Sequence, residues 1–265
     1  MGTLGYPSRM AETNKDSGGD EQVDFGYRRV EAEEKPKLVR DLFDGVAKRY
    51  DLMNDLMSAG THRLWKREMI AWLAPKPGMC LLDVAGGTGD IAFRVNVRFQ
   101  GGGRIIVCDF SENMVAQGRM RGWDKGIVSG IDWLVGDGQS LPLASSSVDA
   151  YTNAFGIRNF TSLETALLEA ARVLKPGGRF LCLEFNPEQM PGLDRLYEFY
   201  SFSVIPALGG IVAGDRDSYR YLAESIRRFP APPQFAKLVR EAGFGGVTWR
   251  SLSGGIAVLY SGWRT

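Results

Sequence analysis

The sequence is poor in the residues that build soft-metal sites and disulfide frameworks. Its 265 residues include three cysteines and a single histidine, His62. Cys80, Cys108 and Cys182 form no CxxC pair, and each stands in a short apolar run. We interpret them as small buried thiols in strands, kept reduced in a cytosol-like compartment. No metal site is expected, because a zinc site needs clustered cysteine and histidine ligands.

The sequence also lacks a long apolar run and an excess of charge of one sign. The best candidate for a membrane span, residues 204–213, is short and interrupted by Pro206, Gly209 and Gly210. The formal net charge is +1 and the basic residues are dispersed, which does not favour binding to nucleic acid. The polar N-terminus has no apolar signal-peptide core, so residues 1–24 are predicted to be a disordered tail, with a cleaved transit segment as the weaker alternative.

From Cys80 onward, short apolar runs alternate with stretches of helical periodicity. Apolar strands that alternate with helices are typical of a parallel sheet covered on both faces. Two β-rich runs at 246–252 and 256–263 predict a C-terminal hairpin, which places one antiparallel strand in the sheet. The predicted fold class is therefore α/β, a mostly parallel open sheet in a single domain over residues 25–265. The predicted parallel strands are 80–85, 104–109, 131–135, 148–154 and 179–184.

Helical periodicity predicts the elements that flank this sheet. Before the first strand, apolar residues recur at helical spacing over 31–50, and a second helix is predicted over 61–73. Thr161 and Glu164 have the spacing of a capping box and predict the start of another helix. The stretch 194–221 is rich in aromatic residues and breaks the alternation, so we interpret it as a helical insertion. Further helices are predicted from Asp90, from Ser111 and over 235–242.

The clearest motif is a glycine-rich turn, DVAGGTGD at 83–90, between the first strand and a helix. Glycine lets the backbone turn tightly and approach a ligand, and the start of the following helix presents free N–H groups. Asp109 ends the second strand, where nucleotide-binding folds place an acid for ribose hydroxyls. Together these features predict a site for an adenosine-containing cofactor. The G-x-G-x-x-G pattern is not matched, so the spacing favours a methyl donor over NAD without excluding NAD. The candidate contacts in the turn are Asp83, Gly87, Thr88 and Gly89.

A second acid, Asp137, follows the third strand. In an open α/β sheet, ligands bind outside the carboxyl ends of the strands. Asp83, Asp109, Asp137 and residues 153–158 all fall on that edge. We expect Asp137 to accept a hydrogen bond from an adenine amino group, and the alternative is a solvated aspartate in a turn.

Several longer motifs extend over nearly the whole chain from about Phe25 onward. They resemble the ubiquinone/menaquinone biosynthesis C-methyltransferases of the UbiE type. The glycine motif alone indicates only a class I methyltransferase, whereas FGIRN and SYRYL are far more specific. The motifs are VAKRYDLMND (46–55), HRLWK (62–66), DVAGGTGD (83–90), AFGIRN (154–159), RVLKPGG (172–178), LEF (183–185), YSF (200–202), SYRYL (218–222) and ESIR (224–227).

The resemblance implies a Rossmann-like fold, S-adenosylmethionine as methyl donor and a polyprenylated benzoquinol or naphthoquinol as acceptor. The benzoquinol is favoured because residues 192–226 resemble the proteobacterial and mitochondrial branch. An N-terminal helical lid over 25–74 and a substrate-side insertion over 191–226 are expected. The implied cofactor contacts are Thr88, Asp109, Asp137, Gly138 and the surroundings of Ala154. The departures from the family pattern are Asn186 for Ser, Tyr260 for His, Gly138 for Ala and Thr61 for Ile or Val, and they concern details of the substrate pocket.

Two residues just past the fourth strand are candidate catalytic residues. Our hypothesis is that Arg158 and Asn159 orient the quinol oxygen or a water and stabilise the phenolate. Arg158 has an equally weighted alternative as the structural ion-pair partner of a strand-end aspartate. His62 is interpreted as a structural residue rather than a base. Tyr50 and Asp51 are candidates to cap the cofactor, although core packing explains Tyr50 nearly as well.

A lipid acceptor implies peripheral contact with a membrane. The aromatic residues of 197–221 are candidates to line a channel for an isoprenoid tail, with plain core packing as the alternative. The predicted location is cytoplasmic, at the inner membrane or on the matrix side of a mitochondrion, with a homodimer or a biosynthetic complex as possible assemblies. Two rival functions are a nicotinamide-dependent oxidoreductase and a non-catalytic, methyltransferase-like scaffold subunit.

Overall fold

The computed structural model describes residues 22–46, 60–187 and 216–265. The first described elements are the two strands of a hairpin, β1 (Gln22–Phe25) and β2 (Arg28–Glu31), and the helices α1 (Lys35–Val46) and α2 (His62–Leu73). The alternating part then follows. Its elements are β3 (Cys80–Val84), α3 (Asp90–Phe99), β4 (Arg104–Asp109), α4 (Glu112–Asp124), β5 (Ile131–Val135), β6 (Val148–Ala154), α5 (Leu163–Val173), β7 (Leu174–Phe185), α6 (Arg216–Arg228), α7 (Pro232–Glu241), β8 (Phe244–Leu252) and β9 (Ala257–Arg264).

The central sheet has seven strands in the order β5-β4-β3-β6-β7-β9-β8. The pairs from β5 to β7 are parallel, and β9 runs antiparallel to both β7 and β8. The predicted α/β class and its single antiparallel strand are confirmed. Because the order reverses between β3 and β6, the carboxyl ends of these strands open a crevice in which a ligand can bind.

Two hydrophobic cores hold the helices against the faces of the sheet. One core includes Met69 of α2 and Leu81 of β3, which are at most 1% exposed. The other includes Leu167 of α5, Phe180 of β7 and Phe235 of α7, all fully buried. Burying a side chain of this size contributes about 1.5–3 kcal/mol, so the two cores fix the strand ends that carry the site.

The N-terminal part differs from the prediction. The strand β1 begins at Gln22, inside the segment predicted to be a disordered tail, so the boundary at residue 24 is wrong. The first helix begins at Lys35 rather than at 31, because Glu31 belongs to β2 and Pro36 suits only the first turn of a helix. The alternation of Val23 and Phe25 before a glycine was the signal for this hairpin.

Smaller corrections concern caps and cysteines. The N-cap of α5 is Ser162 rather than Thr161, and its Oγ accepts from the backbone N–H of Thr165 at 3.1 Å. All three cysteines are free and lie in strands as predicted, but Cys80 is only partly buried. Tyr50, Asp51 and most of the predicted insertion over 191–226 lie outside the described residues, which resume at 216.

Candidate functional site

A cleft opens at the carboxyl ends of β3, β4, β5 and β6. We call it the cofactor cavity, and its empty space is about 960 Å³, including the part open to solvent. Five of the residues predicted from sequence line it, which confirms that the strand ends bring them together. These are Gly87, Asp109, Asp137, Gly138 and Asn159.

A smaller inner pocket adjoins it, and Ala85 lines both. Three more predicted residues, Asp83, Thr88 and Ala154, line this inner pocket. Thr88 is buried, and its Oγ accepts a hydrogen bond from Arg121. Gly89 lines neither space but is the N-cap of α3, with a left-handed backbone of φ +83°. The glycine turn therefore runs along both parts of the site.

The turn needs glycine at specific positions. A Cβ on Gly86 would lie 2.8 Å from both Asp83 Oδ2 and Val107 Cγ1, so a side chain there is sterically excluded. Gly87 has φ +55°, and its N–H donates to Asp109 Oδ2 at 2.9 Å. The nearly side-chain-free backbone therefore leaves room for a ligand and ties the first turn to the end of the second strand.

Asp109 is a buried acid held in a fixed orientation. Besides the bond from Gly87, its Oδ1 accepts from the backbone N–H of Ser111 at 3.0 Å. Burial raises the pKa of Asp109 to about 6, although these backbone hydrogen bonds act in the opposite direction. A carboxylate in this position can accept hydrogen bonds from a pair of ribose hydroxyls.

Asp83 is buried with one oxygen unused. Its Oδ1 accepts from Thr152 Oγ1 at 2.8 Å, whereas Oδ2 is buried and has no hydrogen-bond partner among the described residues. Burial raises the pKa of Asp83 to about 7. An unpartnered buried carboxylate oxygen is costly, so this position favours a ligand that carries a positive charge or an N–H donor.

Lys66 is a site residue that the sequence analysis quoted in a motif without assigning it a role. It projects from α2 into the inner pocket, is 5% exposed, and its Nζ lies 2.9 Å from Asp90 Oδ2. Burial would raise the pKa of Asp90, but Lys66 and Arg94 together lower it to about 2. The sequence feature that indicates a role for Lys66 is its place on the buried face of an amphipathic helix, since a lysine is rarely fully buried without a partner.

The third strand end supplies the opposite wall. Asp137 Oδ1 accepts from the N–H of Gln139 at 2.9 Å, and the side chain lines the cavity. A Cβ on Gly138 would lie 2.6 Å from Phe160 Cζ and 2.8 Å from Val84 Cγ1. The ring of Phe160 thus occupies the space of a side chain at position 138.

The helix α1 closes the cofactor cavity from the N-terminal side. Val39, Arg40 and Phe43 line the cavity, and Arg40 lies over the ring of Phe110 at 5.6 Å. Ser111 Oγ, at the N-cap of α4, donates to Asp44 Oδ1. This contact connects α1 directly to the acid-bearing end of β4.

The structure separates the two candidate catalytic residues. Asn159 lines the cofactor cavity, and its Oδ1 accepts from Tyr221 Oη at 3.1 Å. The guanidinium of Arg158 lines no part of that cavity; it is buried, and its Nη1 lies 2.9 Å from Glu184 Oε1. The partner is therefore a glutamate of β7 rather than the strand-end aspartate considered from sequence. His62 is buried and lines none of the cavities described here.

Comparison with solved structures shows what this fold is. The chain is similar to a SAM-dependent methyltransferase from Aquifex aeolicus, with a TM-score of 0.56 and 17% identity over 76% of this chain and 89% of that one. It is also similar to the methyltransferase in a complex with the Trm112 activator of Haloferax volcanii, with a TM-score of 0.61 and 19% identity over 83% and 96% of the two chains. These similarities show that the chain has the fold of S-adenosylmethionine-dependent methyltransferases.

The sequence comparisons define the family within this class. A model of the ubiE/COQ5 methyltransferase family matches residues 29–264. A ubiquinone/menaquinone biosynthesis C-methyltransferase UbiE from Paracoccus denitrificans is 54% identical over 92% of this chain and 97% of its own length. The same-named protein of Methylobacterium nodulans is 55% identical over 91% and 96% of the two. The chain belongs to the ubiE/COQ5 methyltransferase family, and its cofactor is S-adenosylmethionine.

The described residues fit the charges of this cofactor. The methionine part carries an ammonium, a carboxylate and a positive sulfur, and the inner pocket presents the acids Asp83 and Asp90 with the ammonium of Lys66. The unpartnered Asp83 Oδ2 could accept a hydrogen bond from the cationic end, and Lys66 could supply a counter-charge for the carboxylate. Asp109 has the position of an acid that could accept hydrogen bonds from the ribose hydroxyls.

Proposed function

We propose that the chain transfers a methyl group from S-adenosylmethionine to a ring carbon of a polyprenylated quinol, in ubiquinone or menaquinone biosynthesis. The observation that carries this proposal is the position of residues 154–159. Ala154 lines the inner pocket and Asn159 lines the cofactor cavity, so one strand end runs along the whole site. The family membership and the shared name of the relatives support the same reaction.

The chemistry needs an activated donor and an oriented acceptor. S-adenosylmethionine, when bound, supplies an electrophilic methyl group. The chain has to hold the acceptor ring in line with that methyl group and to accept the proton of the quinol hydroxyl, directly or through a water. Asn159 is placed for orientation, because Tyr221 engages its Oδ1 and leaves the amide N–H groups to donate to the acceptor oxygen.

Arg158 contributes a fixed positive charge behind this loop. Its Nη1 donates to the carbonyl oxygen of Phe155 as well as to Glu184, which locks the residues before Asn159. We propose that Arg158 is a positioning residue whose charge stabilises the phenolate in the water-poor site. The aromatic rings of Phe155 and Phe185 lie 4.7 Å apart nearby and keep this region apolar.

Substitution at these positions tests the roles. We expect Asn159→Ala to lower kcat by roughly 100-fold, the lower range for loss of a hydrogen-bond donor to a developing oxyanion, while affinity for S-adenosylhomocysteine stays within about threefold. Tyr221→Phe, which frees Asn159 Oδ1, is the matched variant and should cause a smaller loss. Wild-type turnover by Asn159→Ala would remove this residue from the mechanism.

The proposed role of Arg158 is tested with a double variant. Arg158→Ala alone leaves Glu184 buried without its partner, which costs about 3–5 kcal/mol and confuses activity with folding. Arg158→Gln with Glu184→Gln removes both charges together. We expect this folded variant to bind S-adenosylhomocysteine but to lose turnover, most strongly at low pH, where the quinol is least ionised. An unchanged pH profile and kcat would contradict the role.

The acceptor class is the finer part of the proposal. We propose a benzoquinol, delivered from a membrane with which the protein makes peripheral contact, at the inner or matrix-side surface. No helix among the described residues is long and apolar enough to span a bilayer. Turnover on short-tailed benzoquinols and naphthoquinols, with product mass measured, tests the acceptor class. Failure of the protein to associate with lipid vesicles would count against the membrane contact.

A further inference from the structure

A second cavity lies among the N-terminal hairpin, the start of α1, residues 158–163 and α6. We call it the hairpin cavity, and its empty space is about 740 Å³, including the part open to solvent. Phe160 and Thr161 line both this cavity and the cofactor cavity, but the residues assigned above to cofactor contacts do not line it. It therefore adjoins the cofactor cavity without including its assigned cofactor contacts, and the proposed function gives it no ligand.

Lys35 brings a buried ammonium to the hairpin cavity. The residue is 6% exposed, and among the described residues it makes one hydrogen bond, from Nζ to the carbonyl oxygen of Phe160 at 2.8 Å. An ammonium has three donors, so two of them have no acceptor among the described residues. Burial lowers the pKa of Lys35 to about 8, against the opposing effect of Asp24. A buried lysine without a carboxylate in contact is unfavourable unless a ligand supplies the negative charge.

Arg158 brings a second buried cation with unused donors. Its Nε donates to Ser225 Oγ at 3.3 Å, and its Nη1 donates to Phe155 and Glu184. Its Nη2 makes no hydrogen bond to the described residues, and the side chain is 3% exposed. Because Arg158 lines the hairpin cavity and not the cofactor cavity, these free donors belong to the hairpin cavity.

The charges around the cavity are mostly positive. Arg29 and Arg228 add two cations at its rim, and the single acid in the lining, Asp24, lies 3.9 Å from each of them. Glu184 balances Arg158, but no carboxylate in the described part of the chain forms an ion pair with Lys35. The surplus of positive charge and the unused donors both favour a negatively charged ligand.

We propose that the hairpin cavity binds an oxyanion, a phosphate or carboxylate group, through the ammonium of Lys35, Nη2 of Arg158 and the hydroxyl of Thr161. Thr161 lines the cavity, and no described group is bonded to its hydroxyl. Charge-assisted hydrogen bonds from two buried cations are the strong kind. This inference does not depend on the identity of the methyl acceptor.

Calorimetric titration with inorganic phosphate tests the site in the full-length protein. The variant Lys35→Met keeps the length of the side chain and removes its charge, and Lys37→Met, at an exposed position on the same helix, is the matched control. We expect one saturable phosphate site in the wild type, an affinity at least about tenfold weaker in Lys35→Met, and wild-type affinity in Lys37→Met. Thr161→Val should weaken binding by a smaller factor, and it keeps the test valid if Lys35→Met does not fold.

A second experiment distinguishes a phospholipid headgroup from a free anion as the source of the oxyanion. Binding to phosphatidylcholine vesicles with and without phosphatidylglycerol is measured for the same variants. Lys35-dependent binding to the acidic vesicles assigns the site to a phospholipid headgroup, and phosphate binding without it assigns the site to a free anion. Absence of a saturable phosphate site, or equal affinity in the wild type, Lys35→Met and Thr161→Val, overturns the proposal. Titration with S-adenosylhomocysteine runs alongside, so that failure of this site is distinguished from failure of the cofactor site.

Discussion

At the scale of single residues, Asp83 makes the unliganded site sensitive to pH. Its pKa is raised to about 7 in the folded protein, against 3.8 in the unfolded chain. The folded state therefore holds a proton that the unfolded state releases, and the free energy of unfolding falls as pH rises through this window. This stabilising contribution is fully present below the unfolded-state pKa of 3.8 and is lost above the folded-state pKa of about 7.

The variant Asp83→Asn measures this effect. It keeps an acceptor for Thr152 but cannot ionise. We expect its unfolding free energy to exceed that of the wild type by an amount that grows between about pH 5 and pH 8, to roughly 4 kcal/mol at most. Urea unfolding of the cofactor-free protein at both pH values is the measurement. A difference that is constant or shrinks as pH rises would contradict the assignment.

Lys66 should recognise the amino-acid part of the cofactor. Removing its charge in Lys66→Met should weaken binding of S-adenosylhomocysteine by at least about tenfold, the usual size of a lost charge-assisted hydrogen bond. Binding of 5′-methylthioadenosine, which has no carboxylate, should change little. The neighbouring exposed residue supplies the control variant Arg67→Met. Equal losses for both ligands would show that Lys66 acts only through the packing of α2.

Gly138 and Phe160 are expected to act as a pair. Because the Phe160 ring stands where a Cβ at position 138 would lie, Gly138→Ala should push the ring and lower cofactor affinity by about tenfold, in line with the cost of overpacking. Phe160→Val in the same chain should restore affinity to within about threefold. Calorimetry on the two single variants and the double variant completes the cycle. Wild-type affinity in Gly138→Ala would remove Phe160 from the wall of the site.

At the scale of elements, α1 is expected to retain the cofactor. Asp44→Ala removes the acceptor of Ser111 Oγ without removing the N-cap of α4. We expect faster cofactor dissociation by a few-fold and faster amide hydrogen exchange in α1, because a single hydrogen bond contributes about 1 kcal/mol. Asp41→Ala, at an exposed position on the same helix, should leave both rates unchanged. Slower exchange, or no change at either position, would contradict a role for this contact.

The predicted elements can be compared with the observed ones. The strands 104–109, 131–135 and 148–154 were predicted to the residue, because buried parallel strands are short apolar runs between helices. The N-terminal hairpin was missed, since a pair of four-residue strands carries a weak signal and burial against α6 decides its conformation. The site acids followed from the rule that ligands bind at strand ends. The place of Lys66 in the site and the direction of the Arg158 guanidinium could not be predicted from this rule, because they depend on packing between distant elements.

At the scale of the whole molecule, the sheet places the predicted cofactor contacts and Asn159 on one edge. The glycine turn, Asp109, Asp137 and Asn159 come from four separate parts of the chain, and only the strand order β5-β4-β3-β6 brings them together. The chain is also similar to the [4+2]-cyclase SpnF, with a TM-score of 0.61 and 17% identity over 85% of this chain and 94% of that one, so the fold alone does not define the reaction. The assignment of methyl transfer therefore depends on the family and the site rather than on the fold.

The most direct test of this assignment is the destination of an isotopically labelled methyl group. The purified protein is incubated with labelled S-adenosylmethionine and a short-tailed benzoquinol, and the product is analysed by mass spectrometry and carbon NMR. We predict one labelled methyl group on a ring carbon, with formation lost in Asp109→Ala. Label on a quinol oxygen, or no transfer to either a benzoquinol or a naphthoquinol, would contradict the account.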